Sequence, residues 1–172
     1  MSTLNVSNIA NPNGTTAMSI DSSGRILTPA RPAFRAYLSS NSGQPDWTFS
    51  NSPPIVPFDT ESYDVGGNYD TSSSTFTVPI TGLYHFDVNI YVSGPVTAGW
   101  VSTFILVDGT QASRTIFDPE GGNYGAPPLS DNLQLTAGQE VTVRLGVESD
   151  QSITVHGDSD GSITNFSGYL IG

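Results

Sequence analysis

The 172-residue chain carries sixteen acidic residues against five basic ones, all arginine, for a net charge of −11. That balance repels phosphate backbones and argues against nucleic-acid binding. The absence of cysteine excludes disulfides, and no apolar run approaches the roughly 20 residues that span a bilayer, so neither stapling nor membrane insertion is expected.

The charge is uneven. Residues 1–45 hold Arg25, Arg31 and Arg35 against Asp21, whereas the remainder sets Arg114 and Arg144 against fifteen acids. The opening Met1-Ser-Thr-Leu-Asn-Val6 lacks the basic and apolar regions of a signal peptide. Between residues 1 and 31, short apolar clusters (Leu4, Val6 and Ile9; Met18 and Ile20; Ile26 and Leu27) alternate with the turn sequences Asn11-Pro-Asn-Gly14 and Asp21-Ser-Ser-Gly24. Two or three short strands follow from this. Their apolar residues are too few to form a core, so the stretch is either a disordered tail or packed on other copies of the chain or another protein. The reading is an N-terminal attachment arm, with Pro29-Ala-Arg-Pro32 as a linker and a head over residues 32–172.

In the head, Ala33–Leu38 reads as the first strand, with Phe34 or its neighbours turned inward. Residues 39–57 are a long Ser-, Asn- and Pro-rich loop carrying Trp47 and Phe49. Phe58–Tyr69 continues as loop and short strand, turned by Gly66-Gly67. Phe76, Val78 and Ile80 alternate along one extended segment; Pro79 and Gly82 turn the chain, and Tyr84, Phe86, Val88 and Ile90 alternate along the next. His85, Asp87, Asn89 and Tyr91 then face away from the core. Trp100–Val107 and Thr110–Phe117 flank Asp108-Gly109, a type I′ hairpin signal. Residues 118–130 read as an irregular loop. Strands follow from Leu133, over Val141–Val147, at Ile153 and Val155, and over Ile163–Ile171. No window of eleven residues keeps a helical period. The fold class is therefore all-β, with nine or ten short strands at the spacing of sandwiches and jelly rolls.

Several spaced motifs carry a resemblance. They are Ala33-Phe34-Arg-Ala; Phe58-Asp59 with Asn68-Tyr-Asp70; Phe76-Thr-Val-Pro-Ile-Thr-Gly-Leu-Tyr-His-Phe86; Leu133-x-Leu-x-x-Gly138-x-x-Val141; and Phe166-Ser-Gly-Tyr-Leu170. In this order they resemble the C1q-like domain of the C1q/TNF superfamily. Ile80-Thr81 departs from the family, which more often runs Val-Pro-Gly directly. The resemblance implies a ten-stranded jelly roll and a homotrimer. Exposed outward residues His85, Asp87, Tyr91, Tyr169 and Ile171 are the expected trimer interface, since closed rings bury a face that a monomer exposes.

The first 34 residues resemble the start of structural proteins from tailed bacteriophages. That likeness implies a virion location, with Leu4, Val6, Ile9, Met18, Ile20, Ile26 and Leu27 as the attachment residues toward a capsid or tail protein. The functional expectation is a trimeric fibre or knob that displays its head for host-surface glycan or protein binding. The alternative is a capsid or tail decoration protein with a purely structural role.

Site chemistry is sparse. The two histidines, His85 and His156, stand without a Gly-x-Ser-x-Gly signature, so the chain reads as a non-enzyme. Trp47 and Tyr124 lie in predicted loops, where an aromatic face can stack on a sugar; the competing role is to cap the sandwich. No cofactor is expected. Calcium is the one cation weighed, because Asp158 and Asp160 stand two apart in a Gly/Ser-rich loop; solvated acidic side chains are the competing reading.

Overall fold

The computed structural model of the chain describes residues 5–41, 47, 52–94, 99–118, 124–125, 128–148 and 153–172, with the backbone alone at Tyr124. Every regular element among them is a strand. An N-terminal module holds β1 (Asn8–Ala10), β2 (Thr16–Ile20) and β3 (Ile26–Leu27). The head begins with β4 (Ala33–Tyr37), β5 (Thr60–Val65), β6 (Tyr69–Asp70), β7 (Thr75–Thr77), β8 (Gly82–Asn89) and β9 (Val92–Ser93). It continues with β10 (Val101–Val107), β11 (Thr110–Phe117), β12 (Tyr124–Gly125) and β13 (Leu129–Leu135). The last three are β14 (Glu140–Val147), β15 (Thr154–Val155) and β16 (Asn165–Leu170).

Two five-stranded antiparallel sheets, ordered β13-β8-β16-β4-β5 and β11-β10-β14-β7-β6, form the sandwich. A small sheet, β12-β9-β15, adds Val92 and Val155 to the core. The inward face of each sheet is the apolar half of a period-two pattern. Phe34, Ala36 and Leu38 alternate inward after the linker, and Tyr84, Phe86, Val88 and Ile90 do the same on and after β8. Between the sheets, the Phe34 ring stacks on Phe76 at 4.6 Å and meets Phe166 edge-on at 4.9 Å. Gly168 is needed at this crossing: a Cβ there would lie 2.6 Å from Phe86 Cδ1. Burial pushes the Tyr69 phenol far above its ordinary pKa, and its hydroxyl donates to the Phe58 carbonyl at 3.2 Å.

The corner at residues 76–90 is a switch between sheets. β7 pairs with β14 and β6, whereas β8 pairs with β13 and β16. The Tyr84 hydroxyl donates to the Ile80 carbonyl at 2.8 Å, and Gly138 N–H donates to the Val78 carbonyl at 2.8 Å. Ile80 corrects the expected alternation. Phe76 and Val78 are buried, but Ile80 is 50% exposed, because the turn rotates the chain out of the strand before it reaches the second sheet. A second correction concerns residues 129–132. β13 starts at Leu129, four residues earlier than its clear alternation, because Leu129 pairs with Val88 over the core. Asp108 and Gly109 both adopt positive φ (51° and 75°), as the predicted type I′ turn requires.

The N-terminal arm is more folded than an extended tail. Its three strands form an antiparallel meander, β1-β2-β3. Gly14 N–H donates to the Asn11 carbonyl and Gly24 N–H to the Asp21 carbonyl, closing both predicted turns. Asp21 Oδ1 also accepts from the N–H groups of Ser23 and Arg25, and its Oδ2 pairs with Arg25 Nε at 2.6 Å.

Candidate interaction face

The outward half of the β8 pattern places His85, Asp87 and Asn89 on the open face of the sheet β13-β8-β16-β4-β5. Cross-strand register brings their neighbours beside them. Tyr169 lies opposite His85 and Ala33, and Ser167 lies opposite Asp87 and Arg35. Ser130 and Asn132 on β13 face Asp87 and His85, and Tyr63 on β5 faces Arg35. The result is a polar face with two aromatic anchors, Tyr169 (47% exposed) and Tyr63 (49% exposed). Ile171, directly after β16, is also exposed, and Tyr91 is half-buried beside the His156 ring.

His85 is the electrostatic centre of this face. Its Nδ1 lies 2.7 Å from Asn132 Oδ1 and its Nε2 lies 2.9 Å from Asp87 Oδ2. Ser130 Oγ is 3.4 Å from the same Nε2, and the Tyr169 ring sits 5.2 Å away. Both ring nitrogens meet an acceptor oxygen, an arrangement that suits the doubly protonated ring. The Asn132 hydrogen bond is the largest effect and raises the His85 pKa above its ordinary value; burial, next in size, opposes it, and the Asp87 bond and the charges of Asp87 and Asp131 add to the rise.

Arg35, unremarked as a face residue in the sequence, donates from Nη1 to Ser62 Oγ at 2.7 Å and from Nη2 to the Gly161 carbonyl at 2.6 Å. It thereby ties the loop at 157–162 to the sheet. Alternation of Ala33, Arg35 and Tyr37 against buried Phe34, Ala36 and Leu38 is the signal that marks it as outward. Tyr63, within the Phe58–Tyr69 segment read as loop and short strand, belongs to β5 and to this face.

His156 meets a serine after all. Ser93 Oγ lies 2.5 Å from His156 Nε2, and Asn41 Nδ2 lies 3.2 Å from Nδ1. Asn41 Oδ1 accepts from Gly157 N–H at 2.7 Å, which orients the amide so that its NH₂ faces the ring. Nδ1 must then accept and Nε2 must carry the proton toward Ser93. A general base for Ser93 would need the opposite tautomer. The trio therefore pins the segments at Asn41 and His156 to β9 and leaves the serine unactivated.

Trp47, Tyr124 and the Asp158–Asp160 pair are the residues expected to carry ligand chemistry. Trp47 is 4% exposed and belongs to the core, with its carbonyl accepting from Ile153 N–H. This corrects the expectation of a sugar-stacking face, because the ring is consumed in packing. The Tyr124 side chain and Leu4 lie outside the described residues. Asp158 and Asp160 turn their carboxylates onto their own loop. Asp158 Oδ2 accepts from the Ser162 hydroxyl at 2.5 Å and from Ser162 N–H at 3.2 Å, and Asp160 Oδ1 accepts from the same N–H at 2.9 Å. These bonds, led by the Ser162 hydroxyl, hold the Asp158 pKa below 3.8. Among the described residues no three or more His, Cys, Asp or Glu side chains gather in one group. In this arrangement the Asp158 and Asp160 carboxylates lock the turn at Ser162.

The architecture defines an antiparallel two-sheet jelly-roll module. Residues 33–171 match the C1q domain, and the chain belongs to that family. Solved structures share the fold. The globular domain of zebrafish complement 1qA protein is 14% identical, with a TM-score of 0.58 over 82% of this chain and 98% of its own. Murine APRIL is 11% identical, with a TM-score of 0.63 over 82% of this chain and 99% of its own. Eiger TNF from S. frugiperda is 14% identical, with a TM-score of 0.56 over 83% and 94%.

Proposed function

We propose that the chain is the trimeric binding head of a bacteriophage fibre or knob, anchored to the virion through residues 1–31 and displaying the jelly roll toward a host-surface glycan. The observation that carries the self-association is the open face of β13-β8-β16-β4-β5. Tyr63, Tyr169 and Ile171 are solvent-exposed there, around a charged centre at His85 and Asp87. Exposed aromatics at a polar face are the composition of a protein interface rather than of an ordinary surface. Membership of the C1q domain family supports the same reading. The virion location rests on the likeness of residues 1–34 to phage structural proteins, and the glycan on the sequence-based expectation that the Tyr124 ring can stack on a sugar.

Light scattering tests the assembly. The expected mass is three times 18.1 kDa, and a Tyr169→Asp change, which places a carboxylate in the desolvated face, is expected to lower it to one chain. A wild-type mass of one chain would sink the trimer. Immunogold microscopy of phage particles tests the location, and binding of labelled protein to host cells, competed by soluble surface polysaccharide, tests the ligand.

A further inference from the structure

The N-terminal module has two different faces. Cross-strand pairs share a face of a sheet, and residues two apart on one strand do too. Ile9 pairs with Met18 and Ile20 pairs with Ile26. Met18 and Ile20 are two apart on β2. Ile9, Met18, Ile20 and Ile26 therefore form one continuous apolar face. Leu27 pairs with Ser19, and Ser19 with Asn8, so these three belong to the opposite, mostly polar face. Ile26 is 63% exposed, and Ile9 and Ile20 are also exposed. Strands of three, five and two residues cannot hold such a face in water by themselves.

Charge and tethering identify the cover. The charged pair of the module, Asp21 and Arg25, is closed on itself at the β2–β3 turn. The apolar face is thus free of charge, and like faces meet without repulsion. Five residues, Thr28–Pro32, separate Leu27 from Ala33. Ala33 pairs with Tyr169 on the open face of the head, so the chain leaves the head at the edge of its proposed association surface. Pro29 and Pro32, together with the Arg31 N–H bond to the Thr28 carbonyl, stiffen that connection. In a trimer, three modules on such short tethers experience one another at about millimolar effective concentration, far above any separate protein.

We propose that the Ile9-Met18-Ile20-Ile26 face is covered by the same face of the other copies of this chain, three modules packing about the axis of the trimeric head into a short stalk. This rests on the trimer reading above. The Leu27-Ser19-Asn8 face is then the outer one, and contact with a carrier protein uses it.

The natural absence of cysteine makes the test direct. Ile26→Cys, Met18→Cys and Leu27→Cys are made separately in the full chain and oxidised mildly after light scattering. Ile26→Cys and Met18→Cys are expected to give disulfide-linked pairs within the particle, independent of protein concentration. Leu27→Cys is expected to stay unlinked and to react with maleimide roughly tenfold faster, since a covered thiol is reached only after local opening. A trimeric mass with Ile26→Cys and Met18→Cys unlinked and as reactive as Leu27→Cys overturns the stalk and leaves the trimeric head standing. Linkage of Leu27→Cys instead overturns the choice of face. A one-chain mass overturns the trimer reading and the stalk with it.

Discussion

β8 in the head and β2 in the N-terminal module carry the same alternating pattern, with opposite results. On β8, Tyr84, Phe86 and Val88 are buried within one chain, because a second sheet supplies Phe76, Val141 and Val143 against them. On β2, Met18 and Ile20 alternate just as regularly, but no second layer among the described residues covers them, and Ile20 stays exposed beside Ile9 and Ile26. Alternation specifies a half-buried strand; it does not specify whose atoms do the burying. The head closes its own core, whereas the module waits for one.

The largest effect that would break this contrast lies in the aromatic cluster. Phe34→Ala removes a ring that touches Tyr69, Phe76 and Phe166, and about 3–5 kcal/mol of head stability is expected to go with it in urea unfolding. A loss below about 1 kcal/mol would mean that the cluster is not the source of the stability. Next is Gly168→Ala, which inserts a methyl against Phe86 and Phe34 and is expected to cost about 1–3 kcal/mol by the same measurement.

His85 gives a smaller, pH-dependent effect of at most about 1 kcal/mol, since the ring and Asp87 are partly exposed. Its pKa is raised in the folded state above 6.5. The stabilisation is therefore complete below the unfolded-state pKa and fades as pH rises through the folded-state value. NMR titration of the ring checks this, and Asn132→Ala is expected to bring the midpoint down. An unchanged midpoint in Asn132→Ala would remove Asn132 as the principal cause. The smallest effect on the head comes from Asp21→Ala. It deletes the acceptor that caps the β2–β3 turn. Amide exchange at Ser23 and Arg25 is expected to accelerate, while the head unfolds within experimental error of the unsubstituted chain. A larger shift would show that module and head unfold as one unit.

Much of the head is legible from local chemistry. The inward set Phe34, Tyr84, Phe86, Val88 and Ile90 follows from period two, and the hairpin at Asp108-Gly109 from its need for positive φ. The candidate face is half legible. His85, Asp87 and Tyr169 follow as the outward partners of buried neighbours, but Tyr63 and Arg35 join them only through the pairing of β4 with β5 and β16. Trp47 looks like a loop aromatic because its neighbours are Ser, Asn and Pro; its isolated bridge to Ile153 draws it into the core. Nothing in the spacing of Asn41, Ser93 and His156 announces that they meet, nor that the amide imposes the tautomer that leaves Ser93 idle.

By itself, then, the sequence determined strand identity, side-chain facing and the turns, because these depend on residues within a few positions of one another. Only the tertiary structure decided which strands became neighbours, that the corner at 76–90 passes between sheets, and which polar groups found one another across the fold. Those outcomes depend on closure of the two layers over a shared core, which brings together residues as distant as Arg35 and Gly161.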